Sequence, residues 1–238
     1  MRHIGFSTGA LARGDFQRAL QMLAGKNASA VELSALRQDE LTPLVEALDH
    51  LDLLQFQYVS FHAPSSMEPE FEATALQLLE QVAGRGWAII VHPNVMYRPQ
   101  EWARLGDRLC IENMDKRKPV GQTASDLVEI FKGLPNATFC FDIGHARQVD
   151  PTMSEASTIL QTLGGRLRQL HVSEVNTQSR HDALSLESVL AFQKVSHLIP
   201  ADAPVILESR VEESEINQEI ENALNALSAK NHFAFVGD

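Results

Sequence analysis

The 238-residue sequence holds two cysteines, Cys110 and Cys140. Both sit inside apolar, strand-like runs (RLCIEN and TFCFDI), and no CxxC occurs. A pair this sparse does not form a disulfide framework, so both are expected to be buried core thiols. Long hydrophobic runs are missing too. No stretch approaches about 18 continuous apolar residues, so no membrane span is expected. The opening MRHIGFSTGA enters a strand without the apolar run of a signal peptide, which makes a soluble, cytoplasmic protein the expectation. Basic charge is short: 20 Lys and Arg stand against 31 Asp and Glu, a net charge of −11. That balance argues against nucleic acid as a partner held mainly by charge. There is no GxGxxG, no GxxxxGK[ST] and no GxSxG, which removes the dinucleotide fingerprint, the P-loop and the nucleophile elbow.

What is present is alternation. Apolar residues make up 44% of the chain and charged residues 21%, values ordinary for a globular protein. Strand-like runs occur at 3–7, 29–33, 57–61, 87–91, 108–112, 137–141, 167–172 and 204–208. Amphipathic segments follow them near 15–24, 39–54, 69–84, 98–105, 121–132, 155–164, 185–197 and 213–229. In FEATALQLLEQVAG, for instance, Phe71, Ala75, Leu78, Leu79 and Val82 fall on one helical side. Alternating strands and helices mean parallel strands with crossover helices. Eight units in a chain near the size of a (β/α)₈ barrel predict an α/β TIM barrel, with 1–238 as a single domain.

In such a barrel, chemistry gathers at the carboxyl ends of the strands and in the loops after them. Read in order, those positions carry Glu32, His62, His92, Glu112, Asp142, His145, His171, His181 and Glu208. Five of the nine histidines lie there. Three unpaired carboxylates (Glu112, Asp142 and Glu208) brought to one mouth repel one another and lose hydration. A bound cation removes that conflict, and imidazoles around it complete an N/O ligand set suited to Zn²⁺, Mn²⁺ or Fe²⁺. The strand ends carry no lysine, which argues against a Schiff-base aldolase. Arg13, Arg98, Arg147, Arg180 and Arg210 lie in the candidate mouth loops, where each could hold a phosphate or carboxylate. The loops after strands seven and eight lack the glycines of a barrel phosphate cup.

These residues, in this order, resemble the xylose isomerase-like TIM barrel superfamily, which includes endonuclease IV and many sugar isomerases and epimerases. The superfamily core is Glu on strand five, Asp on strand six with His three residues on, His on strand seven and Glu on strand eight. The matching residues are Glu112, Asp142, His145, His171 and Glu208. His62 in a His-Ala-Pro segment and His92 in a His-Pro are similar to the first-metal ligands of endonuclease IV. The resemblance implies that Glu112 bridges two metals and that Asp142, His171 and Glu208 complete the second. A third metal would use His145 and an Asp-Arg-His segment. Here that segment reads Ser179-Arg180-His181-Asp182, so its first aspartate is missing, and Asp182 is the candidate substitute.

The leading expectation is therefore a metal-dependent hydrolase with two or three divalent ions per chain (Zn, Mn or Fe), acting on a small phosphoester. His62, His92, Glu112, Asp142, His145, His171, His181 and Glu208 are the expected ligands. Glu112, Glu208 and His145 are the expected catalytic groups, and Glu32, Arg180 and Arg210 the expected substrate contacts. The alternative is a single-metal sugar or sugar-phosphate isomerase or epimerase, with Glu112 and Glu208 moving a proton beside a carbonyl. A third reading is a barrel that binds a metal or ligand without turnover.

Overall fold

A computed structural model describes residues 2–228. The last residue of the helix expected at 213–229 and the ends of the 1–238 domain lie outside that range. Eight parallel strands close into a barrel. They are β1 (Ile4–Ser7), β2 (Ala30–Ser34), β3 (Tyr58–His62), β4 (Ala88–Val91), β5 (Leu109–Glu112), β6 (Thr138–Asp142), β7 (Leu167–Val172) and β10 (Val205–Leu207). All eight match the strand-like runs. Closure comes from pairing β1 with β10, where Ile4 opposes Val205 and Phe6 opposes Leu207. A small antiparallel ribbon, β8 (Glu174–Val175) with β9 (His181–Asp182), stands over the barrel mouth after β7.

Period-two alternation explains how both faces of each strand are buried. Val31, Leu33, Phe61, Ile89, Ile111, Phe139, Phe141 and Leu170 point outward into the shared core under the helices. Inward-facing Ala88, Ile90, Cys110 and Cys140 form a separate small apolar cluster within the barrel. Both cysteines are free and buried, as expected, and burial pushes the Cys110 thiol up to about 12. The other half of the lumen is polar. Tyr58, Ser60, Glu32, Gln169 and His171 meet there, with the Tyr58 hydroxyl donating to Gln169 Oε1 at 2.8 Å. The barrel thus carries an apolar plug on the β4–β6 side and a hydrogen-bonded column on the β2, β3 and β7 side.

The helices depart from expectation in informative ways. The segment expected at 98–105 is one α-helical turn, Pro99–Trp102, followed by a 3₁₀ stretch from Ala103 to Arg108. Two short helices, Thr8–Ala12 and Ile143–Val149, begin directly at strand ends where loops were expected. Among the described residues, no helix is long and apolar enough to cross a membrane.

Glu72, at the start of the helix Glu72–Ala83, is fully buried outside the mouth. It accepts hydrogen bonds from the Arg98 amide (2.9 Å), Arg98 Nε (2.8 Å) and Trp102 Nε1 (2.8 Å). Burial pushes its carboxyl up, but these donors outweigh burial and hold it below the ordinary value. A carboxylate depressed by folding adds stability above its unfolded pKa and loses it as pH falls through the folded one. Glu72→Ala leaves the buried Trp102 Nε1 without an acceptor and breaks the Arg98 pair, and we expect a loss of about 3 kcal/mol near neutral pH. For a chain of this size that is roughly 6–12 °C in Tm. Melting both proteins from pH 7 to pH 3 checks this: the gap should narrow in acid, and a pH-independent gap would contradict the assignment.

Candidate metal centre

Three of the candidate residues close their strands (His62 on β3, Glu112 on β5 and Asp142 on β6), while His171 comes one residue before the end of β7 and Glu32 two before the end of β2. His92 and Glu208 follow directly after β4 and β10, so both stand at the same rim. Strand register aligns them further: Asp142 opposes His171, and Ser34 opposes His62.

Glu112 is the hub. One of its oxygens, Oε2, lies 3.2 Å from His62 Nε2 and 3.1 Å from His92 Nε2. The other, Oε1, lies 3.3 Å from His171 Nδ1 and 3.4 Å from His145 Nδ1. Beyond it, Glu208 Oε1 is 3.7 Å from His171 Nδ1, and Glu208 Oε2 is 3.3 Å from His181 Nδ1. Four overlapping sets each bring their ligand atoms within 4.8 Å of one another. The first is His62, His92 and Glu112. The second is Glu112, Asp142, His171 and Glu208. Asp142, His145 and His181 make the third, and Glu32, His62, His171 and Glu208 the fourth. All eight expected ligands are thereby brought together.

Local chemistry orients each ring. A backbone carbonyl can only accept, so His62 Nδ1, 2.6 Å from the Ala63 carbonyl, carries its hydrogen there and turns Nε2 toward Glu112. His145 Nδ1 likewise donates to the Asn113 carbonyl at 2.9 Å. Asp142 caps the helix Ile143–Val149: its Oδ1 accepts from the His145 amide at 2.7 Å, leaving Oδ2 for the cluster. Gly144 makes this close turn possible, because a Cβ there would stand 2.5 Å from the Ser173 carbonyl oxygen. Asn113 pins the ends of β5 and β6 through reciprocal 2.8 Å bonds with the Asp142 amide and carbonyl.

Glu32 behaves differently from the expectation of a substrate contact. It is fully buried beneath the imidazoles and, unlike Arg180 and Arg210, does not line the mouth cavity. Its Oε2 accepts from Gln169 Nε2 (2.8 Å), Ser60 Oγ (3.1 Å) and His171 Nε2 (3.1 Å). His171 therefore places its hydrogen on Nε2 and presents Nδ1 to Glu112 and Glu208.

The electrostatics are strained without a cation. Burial pulls down on His62, but its hydrogen bond to Glu112 prevails and holds the ring up at about 9. At His92 burial prevails and the ring falls to about 4. Burial also pushes Asp142 and Glu208 above the usual carboxylate range. Glu112 Oε1, Asp142 Oδ2 and His171 Nδ1 are buried with no hydrogen-bond partner. Orphaned acceptors and lone pairs converging on one small volume fit divalent ions bound by nitrogen and oxygen.

The segment Ser179-Arg180-His181-Asp182 is split. His181 turns into the cluster, its ring 5.3 Å from that of His145. Ser179, in the left-handed region at φ 53°, donates from Oγ to Asp115 at 2.9 Å. Asp182 is exposed and accepts from Asn176 at 2.7 Å, so it does not replace the missing aspartate. The carboxylate grouped with His145 and His181 is Asp142.

Above the cluster lies a cavity of about 290 Å³, floored by His62, His92, His145, His181 and Glu208. Arg180 and Arg210 line it, as expected, and so do Asp115, Arg117 and Lys118, which sequence reading passed over. The signal was the DKRK run directly after strand five. Of the other loop arginines, Arg98 binds Glu72 and Arg147 binds Glu174 and Glu187, while Arg13 lines a separate surface cavity.

Residues 98–230 match the family model described as "Xylose isomerase-like TIM barrel". No curated protein matches the sequence. Several solved structures share the fold. A xylose isomerase domain protein from Alicyclobacillus acidocaldarius is 14% identical, with 95% of this chain and 98% of that one covered and a TM-score of 0.65. The IOLI protein with a bound zinc atom is 12% identical, with coverages of 96% and 98% and a TM-score of 0.67. D-psicose 3-epimerase from Clostridium cellulolyticum H10 is 13% identical, with coverages of 93% and 89% and a TM-score of 0.56.

Proposed function

Since this chain belongs to the xylose isomerase-like TIM barrel family, we propose that its mouth is a multinuclear divalent-metal centre that hydrolyses a small phosphoester. The observation that carries the reading is the convergence of His62, His92, Glu112, Asp142, His145, His171, His181 and Glu208 into overlapping ligand sets. A single ion needs only one such set. Here His62 and His92 add a pair of imidazoles on the far side of Glu112, and His145 and His181 add another beside Asp142. His62, His92 and Glu112 would hold one ion, and Glu112, Asp142, His171 and Glu208 a second. Asp142, His145 and His181 would hold a third.

Bound Zn²⁺, Mn²⁺ or Fe²⁺ would supply Lewis-acid charge to a phosphoryl oxygen and acidify an attacking water. The chain's own residues supply placement and proton handling. Glu112 stands between the two halves of the cluster, so its carboxylate neutralises charge on both sides. Glu208, less deeply buried and raised by burial, faces the cavity and suits a proton acceptor there. His145 and His181 lie at the cavity floor beside it, where they would hold the third ion or, without it, contact the departing oxygen. The ribbon of β8 and β9 brings His181 to the mouth cavity.

The test is elemental analysis of protein purified without chelator, followed by hydrolysis of p-nitrophenyl phosphate and its diester before and after chelation. Two or three equivalents of metal per chain, with activity lost on chelation and restored by metal, is the expected outcome. Undiminished hydrolysis by the chelated protein would sink the proposal. A second reading is favoured by one observation: Glu112, Asp142, His171 and Glu208 alone would hold one ion, which suffices for a sugar isomerase or epimerase. Near one equivalent of metal, with deuterium wash-in beside a ketose carbonyl and no phosphoester turnover, would select it.

A further inference from the structure

Most arginines outside the mouth are matched to carboxylates: Arg18 to Glu213, Arg85 to Asp49, Arg98 to Glu72, Arg104 to Glu80 and Arg147 to Glu174 and Glu187. That is what an acidic surface does, with 31 carboxylate side chains available to 20 basic ones. The rim of the mouth breaks the pattern. Lys118, Arg180 and Arg210 all line the cavity, and among the described residues none forms an ion pair with a carboxylate. The nearby acid, Asp115, is already committed: Arg117 binds it at 3.1 Å and Ser179 at 2.9 Å, and although burial pushes its carboxyl up, these partners hold it down at about 2. Glu208, the other acid lining the cavity, points its oxygens at His171 and His181.

Lys118 is half-buried, and burial pulls its ammonium down. Its Nζ reaches only the Ser65 carbonyl, at 3.5 Å. Three cations left uncompensated around one small cavity repel one another, and an anion among them removes both the repulsion and the desolvation penalty. The cavity, at about 290 Å³, is at the small end of ligand pockets. It suits a molecule of sugar-phosphate size.

We propose that Lys118, Arg180 and Arg210 form an oxyanion subsite at the rim, separate from the cluster floor, so that the substrate is a small molecule bearing a second phosphate or carboxylate besides the group that reacts. That this anion is a second one, besides the reacting group, rests on the phosphoester reading; the subsite itself does not. The two guanidiniums offer paired donors to a planar or tetrahedral oxyanion, and the ammonium supplies a point charge opposite them. The subsite also explains how a chain of net charge −11 could draw an anion to its mouth: the local field, rather than the total charge, acts on the approaching ligand.

The experiment is calorimetric titration with inorganic phosphate and, separately, with malonate, on whole protein freed of metal and chelator, at low salt. One anion per chain is expected. Its affinity should fall at least about tenfold in Lys118→Met and in the Arg180→Gln/Arg210→Gln double variant, and stay unchanged in the remote, exposed Lys194→Met. Phosphate binding tighter than malonate assigns the second group as phosphate, and the reverse order assigns a carboxylate. All three variants change exposed or half-exposed side chains, so melting temperatures near the parent's are expected and confirm folding. No anion binding, or binding that ignores both rim substitutions, overturns the subsite. Failure of the hydrolase reading looks different: phosphoesters go uncleaved while the rim-dependent binding persists.

Discussion

Glu112→Gln is expected to reduce phosphoester hydrolysis by about 10³-fold or more, the scale on which groups acting as one unit fail together. The reason is geometric. Among the described residues Glu112 is the single carboxylate within 3.5 Å of four imidazoles, with Oε2 serving His62 and His92 and Oε1 serving His171 and His145. It belongs to two of the ligand sets, so its loss weakens both. Glutamine has nearly the same shape but no charge, and its NH₂ would present hydrogens where a cation needs an acceptor. The variant should therefore lose metal as well as rate, from two or three equivalents to one or fewer. The fold should remain, because Glu112 contributes nothing to the apolar core and glutamine fills the same space. Elemental analysis, circular dichroism and turnover on one preparation decide the matter. A variant that keeps its full metal complement would show that Glu112 is not the bridge between the halves of the site.

The legibility of the sequence divides along physical lines. The eight strands are readable because each is buried on both faces, so runs such as AIIV and LCIE stay apolar up to the residue that meets the mouth. The ligand set is readable for the same reason, since a charged residue ending an apolar run stands out. Helix Ile143–Val149 escapes because its first turn is built from the ligand segment itself, with Asp142 as cap and His145 in its first turn. Propensity alone cannot separate that from a loop. The split of Ser179-Arg180-His181-Asp182 is equally hidden, since it depends on the β8–β9 ribbon and on Asp115, 64 residues away from Ser179. Glu32 shows the commonest ambiguity. A glutamate near the end of an apolar run can face the mouth or the lumen, and only the register that sets it beside Ser60 decides.

That placement gives Glu32 a consequence out of proportion to its distance from any substrate. Glu32→Gln is expected to weaken metal binding by roughly 10–100-fold, the usual cost of losing a partner that orients a metal-bound histidine. In the parent, the carboxylate accepts from His171 Nε2, from Gln169 and from Ser60, so the His171 hydrogen stays on Nε2 and Nδ1 keeps its lone pair. Gln169 is in turn held by the Tyr58 hydroxyl, which fixes the whole column against the barrel wall. A glutamine at 32 can still accept through its oxygen. However, its NH₂ takes the place of Oε1, which no donor reaches, and it carries no charge to hold the His171 hydrogen on Nε2; once that hydrogen moves to Nδ1 it opposes Glu112 and Glu208. Glu32 is then a positioning residue, acting through His171. Two readouts separate this from a merely structural role. The metal-free variant should stay folded and melt modestly below the parent, since the neighbours outweigh burial and hold the Glu32 carboxyl below its ordinary value, so its charge adds stability near neutral pH. The metal dissociation constant should rise, and Glu32→Asp, which keeps the charge but shortens the reach, should recover part of the affinity. An unchanged dissociation constant in Glu32→Gln would mean that the ring of His171 is held by packing alone.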